Sequence, residues 1–273
     1  MESMADGIEK SIQILFEPYK KCPECGSDMW RPKHSKNREN YKGRCLNCLY
    51  RDPGAPTGKT EEETLAEFKF KSDKRTAIAY YGVYSIMTTK LPQIARLKNF
   101  KAQGDAQKDA LEFARNVSNK LVRQAPQHVL LTGPTGVGKT HLASSVIWQC
   151  MMLNRYDYRA IFIDFQEYIN KLKESYEKTD VKELMTDLSR ELERADLIVL
   201  DDLGAERRTE HNIDQLDKIM RLREDKNLVV TTNLSGKEIK DTYGNRTLSR
   251  LLYHLNDNSL VMNGVTDYRK GVN

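Results

Sequence analysis

One stretch of the chain has the residue types and the spacing of a loop that binds phosphate groups. Its members are Gly133, Pro134, Thr135, Gly136, Val137, Gly138, Lys139 and Thr140. The apolar run HVLLT precedes the loop and a helical pattern follows it, which is the context that such a loop needs. Glycines let backbone N–H groups turn toward phosphate oxygens, and the lysine reaches the terminal phosphates. The stretch therefore predicts a site for ATP, with Thr140 offering a hydroxyl to Mg²⁺.

Two neighbouring aspartates close a second apolar run. The segment ADLIVLDDLGAE predicts a buried strand whose carboxyl end carries Asp201 and Asp202. Ligands of open parallel sheets gather at the carboxyl ends of the strands. Asp201 fits a magnesium ligand, and Asp202 is the candidate general base that orients the attacking water. The strand NLVVTTN ends in Asn233, which either holds the same water or forms a turn.

Four of the five cysteines form two CxxC pairs near the amino terminus. They are Cys22, Cys25, Cys45 and Cys48. This spacing is typical of a zinc ribbon, in which four thiolates surround a structural Zn²⁺. Disulfides are the alternative, but the first residues lack a secretory pattern, so we expect a reducing, cytoplasmic location. His34 is expected in a loop and Cys150 in the core.

The composition and charge limit the class of protein. Of 273 residues, 39% are hydrophobic and 30% charged, and the mean hydropathy is −0.67. No apolar run is long enough to span a membrane, so we expect a soluble globular protein without a membrane partner. Residues 20–52 hold nine basic side chains and four acidic ones. The difference, +5, equals the formal net charge of the whole chain. This excess suits an acidic partner or nucleic acid, or only a solvated face.

Apolar strands alternate with amphipathic helices after the phosphate loop, which is typical of a doubly wound α/β fold. Aromatic residues interleave with the basic ones of the cysteine segment, at Trp30, Tyr41 and Tyr50. They stack on bases or, as we favour, form the small core of the ribbon. We predict three segments: a zinc-ribbon module at 1–53, a linker and helical segment at 54–95, and an ATPase domain at 96–273.

The second half of the chain, from about Leu97 to Asn273, resembles the AAA+ ATPases. Within them it is most similar to the DnaC/DnaI-like replicative helicase loaders of bacteria and phages. The resemblance is carried by the strings NFKAQGDAQKDALEFARNV, GPTGVGKTHLA, VLDDLGAE, VVTTN, YGNRTLSRLL and TDYR. It implies a three-layer parallel-sheet ATPase domain preceded by a small zinc-ribbon and helical domain. Because only four residues follow Arg269, we expect no carboxyl-terminal helical lid.

The resemblance also assigns roles by position. It implies that Asn233 is sensor 1, Arg250 the arginine finger and Arg269 sensor 2. Arg246 lies one helical turn before Arg250 and is the second candidate for the finger. Such a finger completes the ATP site of an adjoining subunit in a head-to-tail oligomer, so an isolated subunit should hydrolyse ATP weakly. The alternative is that both arginines form surface pairs or contact DNA phosphates.

Two further expectations follow from the resemblance. Asp202 stands where many AAA+ proteins carry a longer glutamate, which predicts slow turnover of ATP.

The implied function is an ATP-dependent loader that captures the hexameric replicative helicase through residues 1 to about 95 and deposits it on single-stranded DNA. The alternative function is an IstB-like transposition ATPase whose zinc ribbon binds DNA. A small-molecule kinase fits poorly, because the core is not followed by an arginine-rich lid.

Overall fold

The computed structural model describes most of the chain in two compact units. The described residues are 14–34, 38–45, 47–48, 50–55, 61–102, 104–124 and 126–263, with side chains omitted at 61–64. The units are Met1–Ala66 and Glu67–Asn273. The segment 54–95, predicted to be a separate linker and helix, is divided between them.

The first unit contains a short hairpin and the four cysteines. Strand β1 (Phe16–Lys21) pairs antiparallel with β2 (Asp28–Pro32). A second arm is closed by the backbone bond from the Cys45 N–H to the carbonyl of Tyr50 and by a bridge between Arg44 and Arg51. The buried apolar side chains of this unit are few: Cys22, Met29 and Cys45, with Tyr19 and Tyr50 packed against them. A core of this size needs a cross-link or a metal to hold one structure.

The second unit is built from helices around one sheet, and α1 begins in the first unit. The helices are α1 (Glu61–Tyr84), α2 (Leu91–Ile94), α3 (Asp105–Arg123), α4 (Lys139–Leu153), α5 (Phe165–Glu174), α6 (Thr179–Arg194), α7 (Glu210–Leu222) and α8 (Gly236–Tyr253). The strands are β3 (His128–Thr132), β4 (Ala160–Asp164), β5 (Leu197–Leu203), β6 (Asn227–Thr232) and β7 (Ser259–Val261). A 3₁₀ turn covers Leu97–Asn99. In the described part of the chain, no helix combines the length and apolar character needed to cross a bilayer.

The five strands form one parallel sheet in the order β4-β5-β6-β3-β7. The predicted parallel sheet is therefore confirmed. Its strands are near-continuous apolar runs because helices cover both faces. The order places β3, which precedes the phosphate loop, directly beside β6, which ends before Asn233. It places β5, with Asp201 and Asp202, on the other side of β6.

Successive side chains of each strand enter two separate cores. On β3, Val129 and Leu131 face the core built with α3 and α4, whereas Leu130 faces the core built with α6 and α7. Buried side chains of α6 such as Leu188 belong to the second core. This alternation follows from the two-residue period of a strand. The result is the predicted three-layer α/β architecture, with the sheet between two layers of helices.

Candidate functional site

The phosphate loop connects the end of β3 to the start of α4. Gly138 precedes the helix with φ 96°, a left-handed conformation that glycine adopts without a steric penalty. Lys139 follows as the first helical residue and is 7% exposed. Its Nζ donates to the carbonyls of Gly133 at 2.7 Å and Pro134 at 2.8 Å, and to Oδ1 of Asn233 at 2.5 Å. The ammonium group is thus held within the loop, where a terminal phosphate would lie.

Asn233 meets the phosphate loop from the neighbouring strand. Besides accepting from Lys139, its Nδ2 donates to the hydroxyl of Thr135 at 3.3 Å. These contacts span 94 and 98 residues of sequence and follow from the adjacency of β3 and β6. A turn-forming asparagine would need no such contacts. The geometry therefore places the amide of Asn233 at the phosphate loop, beside the ammonium group of Lys139.

Asp201 is a buried carboxylate held by two threonine hydroxyls. Thr140 donates to its Oδ2 at 2.9 Å, and Thr231 donates to its Oδ1 at 2.7 Å. Burial raises the pKa of Asp201 to about 6, although both hydrogen bonds lower it. Among the described residues no lysine or arginine forms an ion pair with it. A buried carboxylate without a cationic partner, beside a threonine hydroxyl, fits Mg²⁺ chemically.

Asp202 has a conformation unlike that of an ordinary strand residue. Its φ is 55°, in the left-handed region that is uncommon outside glycine, and the pairing of β5 with β6 shifts register here. Its backbone N–H donates to the hydroxyl of Thr231 at 2.9 Å. At this kink Asp201 is buried, while the next residue, Asp202, lines the cavity.

The loop, Asp202 and Asn233 line a cavity of about 530 Å³. This volume lies within the range of about 300–1,000 Å³ that small-molecule sites occupy. A second part of the cavity wall comes from residues that the sequence did not single out as ligands: Thr88, Thr89, Leu91, Asn99, Phe100 and Lys101. His141 adds a further lining residue, and its Nε2 bonds the carbonyl of Arg96 at 3.2 Å. Asn99, Phe100 and Lys101 fall in the string NFKAQG. This string was the only motif of the sequence analysis that included any residue of this wall.

A short edge segment brings this wall to the cavity. The N–H of Ile86 donates to the carbonyl of Phe162 at 2.8 Å, and the N–H of Asp164 donates to the carbonyl of Ile86 at 2.9 Å. The chain after α1 therefore pairs with the outer edge of β4. Thr88 follows two residues later and donates to Oδ2 of Asp164 at 2.8 Å.

The two arginines proposed as fingers differ in their surroundings. Both lie on α8, which Gly244 interrupts with φ 85° and ψ 170°. Arg250 is half-buried and forms ion pairs with Asp217 and, at 3.4 Å, with Glu224. Arg246 is exposed and makes no ion pair or hydrogen bond with another described residue. Neither lines the cavity of its own subunit, and Arg269 lies outside the described residues.

The four cysteine sulfurs come together in the first unit. All four lie within 4.8 Å of one another. The Sγ atoms of Cys22 and Cys48 are 3.5 Å apart, and those of Cys25 and Cys45 are 3.7 Å apart. A disulfide needs about 2.05 Å, whereas a tetrahedral Zn²⁺ with Zn–S bonds of about 2.3 Å separates its sulfurs by roughly 3.8 Å. The arrangement fits zinc with four thiolate ligands, and the exposed His34 is not part of the cluster.

Comparison with known proteins agrees with this geometry. Residues 66–269 match the family described as IstB-like ATP binding protein. The uncharacterized protein YdaV of Escherichia coli (strain K12) is 26% identical over 155 residues, which cover 56% of this chain and 60% of YdaV. The chain thus spans under two thirds of that relative.

Two solved structures have the same fold. The structure of the DnaC helicase loader matches with a TM-score of 0.53 and 24% identity, covering 63% of this chain and 99% of that one. The structure of DnaI matches with a TM-score of 0.51 and 19% identity, covering 66% and 94%. These matches show that the second unit has the fold of the DnaC helicase loader. The match over 66–269 shows that the chain belongs to the family of IstB-like ATP binding proteins.

Proposed function

We propose that this protein is an ATP-dependent helicase loader, which binds a hexameric replicative helicase and deposits it on single-stranded DNA in the cytoplasm. The observation that carries the proposal is that one chain joins a nucleotide site of DnaC-like fold to a separate unit with a four-cysteine cluster. A ribbon fixed by metal offers a rigid face to a partner although its own core is small. The cysteine unit would therefore bind the helicase.

The residues around the cavity account for ATP hydrolysis. Lys139 would hold the terminal phosphates, and Thr140 and Asp201 would hold Mg²⁺, which neutralises charge on the phosphate oxygens when bound. Asp202 would orient the attacking water and accept its proton, while Asn233 would fix the position of that water. Asp202 lines the cavity and Asn233 is tied to Lys139, so both side chains face the same volume.

The cavity supports the proposal that a neighbouring subunit completes the site. Its charged lining residues in the described part of the chain are Lys101, Lys139 and Asp202, and no described arginine reaches it. An arginine that stabilises the transition state would then come from another copy. A head-to-tail oligomer brings α8 of one copy, with Arg250 and Arg246, to the cavity of the next. Arg269 would be sensor 2 within the same subunit.

A second candidate is a DNA-targeting transposition ATPase, favoured by the match to the IstB-like family over 66–269. In this case the basic cysteine unit would bind DNA instead of a helicase. The nine basic residues at 20–52 are consistent with both candidates. Some of them are already paired in the unit, for example Lys20 with Asp52 and Arg38 with Glu17.

One experiment separates the two candidates. The full chain is mixed with candidate hexameric helicases, with and without a non-hydrolysable ATP analogue, and the mass of the complex is measured by light scattering. A loader gives a stable complex that the double variant Cys45→Ser/Cys48→Ser cannot form, although that variant still binds ATP. Capture that survives loss of the metal would disprove the role of the ribbon. If the chain binds no helicase but binds duplex DNA with a steep salt dependence, the DNA-targeting function is correct.

A further inference from the structure

Two strings that the sequence marks as family signatures meet in the structure through one buried hydrogen bond. Glu206 belongs to LDDLGAE and Tyr243 to YGNRTLSR. The hydroxyl of Tyr243 donates to Oε1 of Glu206, across 37 residues of sequence. Both residues are buried, with exposures of 4% for Tyr243 and 8% for Glu206. Neither lines the nucleotide cavity, so the functions assigned above leave this contact unexplained.

Glu206 is tied to the turn that follows Asp202. Its Oε2 accepts from the N–H of Gly204 at 3.0 Å. The preceding carbonyl, of Leu203, accepts the hydroxyl of Thr232 at 2.6 Å, which fixes the same turn to β6. The Glu206 carboxylate is therefore bonded to the backbone two residues after the candidate general base, Asp202. It forms no ion pair with a described residue, so these two hydrogen bonds are its main ties.

Tyr243 stands at the break in α8. Gly244, with φ 85°, follows it and separates the first half of the helix from the half that carries Arg246 and Arg250. A second tie joins the same two regions, since the guanidinium of Arg208 donates to the carbonyl of Asp241. Beyond the break, Thr247 and Leu251 are buried against the domain. A shift of the Asp202 turn would thus move the start of the arginine-bearing half.

We propose that Glu206 and Tyr243 are positioning residues that couple the Asp202 turn of a subunit's own ATP site to the arginine helix that it offers to the next subunit. The inference rests on the proposed completion of the site by a neighbouring copy. Each subunit would then present its arginine according to the state of its own site, and information would pass in one direction along the oligomer. The coupling is local, because it needs one hydrogen bond, one turn and one helix break.

The first test is kinetic and uses the full-length chain under conditions where it self-assembles. Tyr243→Phe removes one hydroxyl, and we expect kcat for ATP to fall about tenfold while the Kd for ATP stays within about twofold. Tyr253→Phe, on the same helix but 63% exposed, is the matched control and should keep full activity. Glu206→Gln should give a similar loss. The double variant should lose no more than the worse single variant, because the two residues act as one unit.

The second test asks where the defect acts. Asp202→Asn subunits still bind ATP, so their arginine helix is presented normally, but they lack the candidate general base, whereas Tyr243→Phe subunits have an intact site and a misplaced helix. In an equal mixture, about one interface in four pairs an intact site with an intact helix, so activity should rise roughly fivefold above the mean of the two separate preparations. A merely structural weakening by Tyr243→Phe would not be rescued in this way.

An arginine control separates the two hypotheses. Arg250→Ala and Arg246→Ala are each mixed with Asp202→Asn. If an arginine variant is rescued and Tyr243→Phe is not, the coupling inference is wrong and completion by a neighbour stands. If neither arginine variant loses activity or is rescued, completion by a neighbour is wrong and the inference falls with it. Full activity of Tyr243→Phe alone, or multiplied losses in the double variant, would also overturn the coupling.

Discussion

The hydroxyl of Thr140 donates a hydrogen bond of 2.9 Å to Oδ2 of Asp201, across 61 residues of sequence. This contact joins the phosphate loop to β5 and defines the proposed magnesium position. We predict that Thr140→Val lowers the affinity for ATP in the presence of Mg²⁺ by about tenfold, because the metal loses one oxygen ligand. Affinity measured with EDTA should not change. Titration with a fluorescent ATP analogue checks both values.

Thr140→Ser is the matched variant, because it keeps the hydroxyl and removes only a methyl group. It should retain most of the Mg²⁺-dependent affinity. Equal losses for the valine and serine variants would show that packing, and not the hydroxyl, determines binding.

Lys139 makes three hydrogen bonds within the site and is nearly buried. Its replacement by alanine removes an ammonium group that donates to two carbonyls of the phosphate loop. We expect Lys139→Ala to weaken ATP binding by about 100-fold, since charge-assisted bonds to phosphate are strong. Isothermal titration calorimetry measures the effect. Lys108→Ala, at an exposed lysine of α3, should bind ATP normally, and similar values for both variants would refute the site.

Variants of Arg246 and Arg250 distinguish an effect on folding stability from an effect on ATP turnover. Arg250→Ala breaks the ion pairs with Asp217 and Glu224 and should lower the free energy of unfolding by about 1 kcal/mol. It should also lower ATP turnover of the assembled protein by about 10³-fold if it is the finger. Arg246→Ala should leave the melting temperature unchanged, because Arg246 is exposed. A large loss of turnover in Arg246→Ala alone would assign the finger to that residue instead.

The cysteine cluster predicts one Zn²⁺ per chain. Removal of zinc with a strong chelator should unfold the first unit, since thiolate–zinc bonds replace a large core there. ATP binding should persist, because the phosphate loop belongs to the second unit. Elemental analysis and circular dichroism measure the two effects. Cys150→Ala, at a buried cysteine outside the cluster, should keep its zinc, whereas Cys45→Ser/Cys48→Ser should not.

Arg223 is fully buried and has carbonyl partners in place of a carboxylate. Its guanidinium donates to the carbonyls of Leu192, Ala195, Asp196 and Asn227, at 2.6 to 3.5 Å. Arg223→Ala should lower the free energy of unfolding by about 2–4 kcal/mol, because buried carbonyls lose their donor and a cavity forms. Arg221→Ala, at an exposed arginine in the last turn of α7 two residues before Arg223, should cost under about 1 kcal/mol. Urea denaturation compares the two variants.

The local patterns of the sequence were sufficient for the class of fold, but not for the order of the strands. Apolar runs predicted the parallel strands, and the structure confirms the sheet because strands covered on both faces must be apolar along their length. The phosphate loop and the paired CxxC motifs were visible because their function depends on backbone conformation and spacing within a few residues. Asn233 could be predicted at the end of a strand, but its bond to Lys139 could not, since strand order is not encoded locally.

The sequence by itself determined the chemical groups: a phosphate loop, two aspartates after a buried strand, and four thiols. Only the tertiary structure decided which partners complete them. Thr231 beneath Asp201, the wall from Thr88 to Lys101, and the bond between Tyr243 and Glu206 all join residues far apart in the chain. Such contacts arise from the packing of strands and helices around two cores, and no short pattern of residue types specifies them.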